Sequence, residues 1–140
     1  MRNALRACVM MIMLSAIAVA VARADDNSAK GVAAADHWLK LVDDGSYAES
    51  WSQSAKLFQD NVSSDAWAQK VGAVREPLGS VLSRKEVDSR SFTSLPGVPD
   101  GHYVIVHYQT AFKNKASAVE TVTAMQDPDG DWRVAGYFIN

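Results

Sequence analysis

HYVIVHYQTAFKNKASAVETVTAMQDPDGDWRVAGYFI, residues 102–139, is the stretch that decides the fold. Three runs in it, His102 to Phe112, Ala116 to Gln126 and Trp132 to Ile139, are rich in β-branched and aromatic side chains. Such side chains suit a pleated, half-buried surface, so each run reads as a strand. Asp127-Pro128-Asp129-Gly130 joins the last two, with Pro second and Gly fourth, the signature of a tight hairpin turn. On the first run Val104, Val106, Tyr108, Thr110 and Phe112 form the more apolar face, and Tyr103, Ile105, His107, Gln109 and Ala111 the mixed one. The second run alternates through Val119, Thr121, Thr123 and Met125.

Upstream of this block, Leu95-Pro96-Gly97-Val98-Pro99-Asp100-Gly101 holds two turn signals, so the chain reverses there. Val81 to Thr93 reads as a polar, partly exposed first strand. Before Gly79 the period becomes helical. Val32, Ala35, Leu39 and Val42 lie on one stripe of a first helix capped by Asn27 or Ser28 and ended by Gly45. Ser46 and Glu49 have the spacing of a capping box, ahead of a helix carrying Tyr47, Trp51, Ala55 and Phe58 on one face. Ser64 or Asp65 caps a third helix with Trp67, Val71 and Val74, which Pro77 stops at Glu76. Helices first and an antiparallel sheet of about four strands after make the class α+β.

The start of the chain belongs to none of these elements. Arg2 and Arg6 precede an uncharged run from Ala7 to Ala22, and Ala22-Arg23-Ala24 has the small-x-small pattern of a signal-peptidase site. The sixteen-residue run is shorter than the roughly 20 apolar residues that cross a bilayer. Residues 1–24 are therefore expected to be a signal peptide cut between Ala24 and Asp25, and residues 25–140 a single exported domain, periplasmic or secreted and free of the membrane after cleavage. Cleavage removes three of the fourteen basic residues and none of the sixteen acidic ones, taking the net charge from −2 to −5. An acidic domain is a poor match for a phosphate backbone, and no nucleic-acid partner is expected. Cys8, the sole cysteine, leaves with the leader, so thiol and disulfide chemistry leave with it.

Trp38-Leu39 with Gly45-Ser46-Tyr47 and Ser50-Trp51, then Arg75-Glu76-Pro77-Leu78-Gly79 and Ser83-Arg84, then Leu95-Pro96-Gly97 and Pro99-Asp100-Gly101, and finally Asp129-Gly130-Asp131-Trp132-Arg133-Val134-Ala135-Gly136-Tyr137 occur in one order. This series resembles the bacterial domain-of-unknown-function family 4019 over nearly the whole exported chain, a resemblance that carries over no catalytic or binding residue. More loosely, the helical hairpin, third helix and long strands closing on a DG-x-W-R-V strand resemble the nuclear-transport-factor-2-like, SnoaL-type superfamily. That resemblance implies a curved sheet wrapped around the helices, a cone-like architecture with a pocket. Some members of that superfamily use the pocket for acid–base chemistry, some bind ligands in it, and some dimerise through the sheet.

Candidate sites follow from these faces. His102 and His107 are five apart on a strand and point to opposite sides, so they cannot share a metal ion. Asp127, Asp129 and Asp131 alternate like the start of a calcium loop, but Gly130 and Phe138 stand at its fourth and twelfth positions, where the loop needs its Gly sixth and a Glu twelfth. No metal or cofactor is expected. Acid–base catalysis would draw on Asp36, His37, Tyr103, His107 or Tyr108, and would bring an acid and a tyrosine hydroxyl together inside a cavity. No residue constellation commits the chain to that, and the expectation is a non-catalytic module for a small ligand or another envelope protein. The expected lining of its cavity is Trp38, Tyr108, Thr110 and Trp132. An acid–base enzyme and a structural domain that pairs as a homodimer are the alternatives.

Overall fold

A computed structural model describes the backbone of residues 15–140 and the side chains of residues 26–140. The expected leader and its cleavage site thus lie outside the residues whose side chains are described. Four helices precede four strands among the described residues: α1 Ser15–Asp43, α2 Tyr47–Ser52, α3 Lys56–Asn61, α4 Ser64–Leu78, then β1 Val81–Phe92, β2 Tyr103–Phe112, β3 Lys115–Gln126 and β4 Trp132–Ile139. The strands form one open antiparallel sheet in the order β1-β2-β3-β4. The class is α+β, as the sequence led us to expect. No helix among the described residues is long and apolar enough to cross a membrane.

Helix α1 lies against all four strands. Its stripe of Ala35, Trp38, Leu39 and Val42 is buried against Val104, Val106 and Tyr108 of β2, Val122 of β3 and Val134 of β4. All five residues of the apolar face of β2 are buried, from Val104 to Phe112. On β3 the face turned to the core carries Ala118, Glu120, Val122 and Ala124, and the set Val119, Thr121, Thr123 and Met125 lies opposite. One mixed-face residue of β2 is also buried: Tyr103, under the Leu95–Gly101 reversal, where its hydroxyl donates to the Pro99 carbonyl at 2.5 Å.

Several expectations for the helices are corrected. The single helix expected after Gly45 is two, α2 and α3, broken at Ser54 and Ala55. Ser54 Oγ donates to the Ser50 carbonyl at 2.7 Å and accepts from the Trp38 indole at 3.0 Å. Ala55 is extended, and its N–H donates to the Val134 carbonyl at 2.8 Å. A peptide group given to β4 cannot also sit in a continuous helix, and part of the β4 edge is covered as a result. The Ser46/Glu49 capping box does not form, since Ser46 makes no side-chain cap bond and Glu49 accepts from Gln53 instead. The cap of α4 is Ser63, whose Oγ accepts from Ala66 N at 3.2 Å, one residue before the expected Ser64. Pro77 sits in the last turn of α4, and the helix ends at Leu78 because Gly79, at φ 75°, turns the chain away. Asn27 and Ser28 lie inside α1, and Ser28 bonds Ser91 of β1 at 2.8 Å. Val74 of α4, expected on the apolar stripe, is half exposed.

Candidate functional site

Four charged groups, two of them buried in the core, are gathered in one network. Glu120, with no exposed surface, accepts from Arg84 at 2.8 Å and from Thr110 at 2.5 Å, and Tyr137 donates to its second oxygen. Arg84 also donates two bonds to Asp43, at 2.7 and 2.9 Å, and Arg75 reaches the same carboxylate at 2.6 Å. Two carboxylates meet two guanidiniums here, so the group is neutral as a whole. Arg84 belongs to the strand that reads as polar and partly exposed, but the register of β1 places it beside Thr110 on the inner face. Arg75 comes from α4, and its guanidinium lies over the Phe112 ring at 5.0 Å.

Burial works against the charge on Asp43, but the hydrogen bonds and charges of Arg84 and Arg75 outweigh it and hold the carboxyl below its usual range. Burial, with the Glu120 carboxylate beside it, pushes the Tyr137 hydroxyl up, and burial with Asp36 does the same to Tyr108. Linkage fixes the signs. Asp43 contributes stability that is complete above the ordinary Asp pKa of about 3.9 and is lost as pH falls below it. The tyrosines contribute stability that is complete below about pH 10 and is lost as pH rises further. Urea midpoints measured from pH 2 to 12 are expected to form a plateau that drops below pH 4 and above pH 10, and Asp43→Asn should flatten the acid limb.

Tyr108 and Thr110 are buried and each is held by a carboxylate, one at the surface and one in the core. Tyr108 Oη donates to Asp36 Oδ1 of α1 at 2.7 Å, and Thr110 Oγ1 to Glu120. Neither borders the clefts described below. An acid and a tyrosine hydroxyl do meet, at Asp36 and Tyr108 and again at Glu120 and Tyr137.

Trp38 and Trp132, by contrast, share a cleft of about 450 Å³. Ala34, His37 and Trp38 of α1 form one wall, Ser52 and Gln53 at the end of α2 a second, and Asp131 to Val134 at the start of β4 the third. Its size falls in the range of small-molecule pockets. Gln53 Nε2 donates to Glu49 at 3.1 Å, so its Oε1 accepts from His37 Nε2 at 2.9 Å. That bond sets the imidazole tautomer and leaves Nδ1 as an acceptor in the neutral ring.

The β3–β4 turn supplies the opposite side. Arg133 Nη1 donates to Asp127 at 2.9 Å and to Asp129 at 3.0 Å, and its Nη2 to Asp129 at 2.8 Å and Asp131 at 3.3 Å. Hydrogen bonds from Arg133 and from the Asp131 N–H lower the Asp129 carboxyl to about 2. The three alternating aspartates close on an internal guanidinium.

The four indoles differ in how they are held. Trp38 donates to the Ser50 carbonyl and Ser54 Oγ, Trp51 to the Val62 carbonyl and Trp67 to Ser50 Oγ. Trp132 has a buried Nε1 with no acceptor among the described residues. The sequence supplied Trp38 and Trp132 as cleft residues and His37 as a polar candidate. Ser52, Gln53 and Arg133 were missed, and Asp131 was weighed only as part of a calcium loop, although the D-x-D-x-R spacing was visible. A second cleft, of about 330 Å³, also borders Trp132, with Phe92, His102 and Tyr103 in its lining.

The family described as "Protein of unknown function (DUF4019)" matches residues 34–137. No curated protein and no solved structure matches the chain.

Proposed function

The chain belongs to the DUF4019 family, and from that premise we propose that it is an exported, non-catalytic binding module of the cell envelope that takes a small ligand in the cleft between α1, the end of α2 and the start of β4. One observation carries the proposal: Trp132, the indole without a hydrogen-bond partner among the described residues, lies in the wall of a roomy cleft beside a histidine of fixed tautomer. Buried donors are nearly always satisfied, so an unpaired indole N–H beside a cleft marks a place where an acceptor belongs. The core network favours the same reading, since its carboxylates are spent on arginines and hydroxyls and leave no free base. Export rests on the leader, and the cone-like architecture is supported by the packing of α1 on all four strands.

The test is a thermal-shift screen of the protein, expressed with its own leader and recovered as the cell processes it, against envelope metabolites. A ligand that binds only the folded state raises Tm by mass action, by about 2.7 kcal/mol of stabilisation at a hundred times Kd. At least one compound should raise Tm in the wild type and lose its effect in Trp132→Ala. A silent broad screen would sink the small-ligand reading and favour a protein partner.

The Asp36–Tyr108 pair favours a second reading, an acid–base enzyme. In that case Asp36→Asn would abolish turnover of a compound found in the screen while leaving its binding intact. In a binding module no hit is turned over.

A further inference from the structure

We infer that the cleft takes an uncharged amide, whose carbonyl accepts from the Trp132 indole and whose N–H donates to His37; this rests on the binding reading above and names the ligand class. Trp132 is only partly buried, so some of its ring is open, yet its Nε1 is buried and has no acceptor among the described residues. Each donor group that α1 and α2 bring to the wall is already engaged. His37 Nε2 donates to Gln53 at 2.9 Å, Gln53 Nε2 to Glu49 at 3.1 Å, Ser52 Oγ to the Glu49 carbonyl at 3.0 Å, and Trp38 Nε1 to Ser50 and Ser54. The bond to Gln53 leaves His37 Nδ1 as an acceptor in the neutral ring, and it has no partner among the described residues. Across the cleft, then, an unanswered donor on β4 stands opposite an unanswered acceptor on α1.

A carboxylate would also offer the indole an acceptor, but the guanidinium of this wall, Arg133, is already given to Asp127 and Asp129, so the guest's charge would enter unpaired. An ammonium carries no acceptor, and Trp132 would stay unsatisfied. A ketone satisfies Trp132 and leaves His37 Nδ1 without a donor. An amide answers both groups and needs no countercharge. Its apolar remainder can lie against Ala34 and the open part of the Trp132 ring.

The experiment titrates the protein with benzamide, acetophenone and benzoate, three guests that share one ring and differ in the polar group, reading the four indole N–H resonances by ¹H–¹⁵N NMR. Benzamide should move the Trp132 indole proton downfield, the direction of a new hydrogen bond, and should bind several-fold more tightly than either of the others. Trp132→Phe, which keeps an aromatic ring and loses the N–H, should weaken benzamide about ten-fold. If acetophenone or benzoate binds at Trp132 as well as benzamide does, or if Trp132→Phe binds benzamide as tightly as the wild type, the amide inference is overturned and the binding module stands. If none of the three moves Trp132, the amide inference also fails, and the broad screen alone decides whether the cleft binds anything.

Discussion

Replacing Glu120 by alanine is expected to lower the unfolding free energy by about 3–5 kcal/mol, the usual cost of removing one partner from a buried ion pair. Glu120 is fully buried and receives Arg84, Thr110 and Tyr137. Without it, Arg84 and Arg75 share only Asp43, and one buried positive charge is left unbalanced. For a domain of this length the loss should lower Tm by more than about 10 °C. Glu120→Met combined with Arg84→Met leaves Asp43 and Arg75 as a balanced pair, so the double variant should be more stable than Glu120→Ala despite losing more hydrogen bonds. Urea unfolding of the two variants decides it. A loss below about 1 kcal/mol for Glu120→Ala would mean that the network does not hold the sheet to α1 and α4.

Gly31→Ala should destabilise the protein by about 1–3 kcal/mol, although alanine is the better helix former. At an open helical position the exchange would gain about 1 kcal/mol. Here a Cβ on Gly31 would stand 2.5 Å from Val104 Cβ and 2.7 Å from its Cγ2, far inside van der Waals contact. The obstacle is the root of a short, stiff side chain in the central face of β2, so α1 itself must move away from the sheet. Adding Val104→Ala removes both γ-methyls and should restore part of the loss. Differential scanning calorimetry of the two single variants and the pair measures that coupling, and a Gly31→Ala variant as stable as the wild type would rule out the close approach.

The sheet was largely legible because β2 is patterned without ambiguity, its five inner residues apolar or tolerant of burial and its turns marked by Pro and Gly. The inner face of β3 was not. Glu120 interrupts Ala118, Val122 and Ala124 with a charge, and its partners come from β1, β2, β4 and, through Asp43 and Arg75, from α1 and α4. Nothing in local spacing announces a carboxylate whose network draws on five other elements. The break between α2 and α3 was hidden for a similar reason. Ser54 and Ala55 are ordinary helix residues by type, and tertiary bonds to Trp38 and Val134 set their conformation. Of the cleft, the aromatics could be picked out because large side chains must pack somewhere. Its polar walls could not, since Gln53, His37 and Asp131 meet only after α2 and β4 are brought beside α1.

In a binding module of this kind, ligands enter beside Trp132 and leave the ion network untouched. The decisive experiment is a ¹H–¹⁵N spectrum of the protein with and without a compound that raises its Tm, following the indole and arginine side-chain resonances together. A shift is expected at the Trp132 indole, with the Arg75 and Arg84 signals unmoved. Shifts centred on Arg75, Arg84 and the tyrosines, with Trp132 silent, would contradict it and place the binding site in the core network instead.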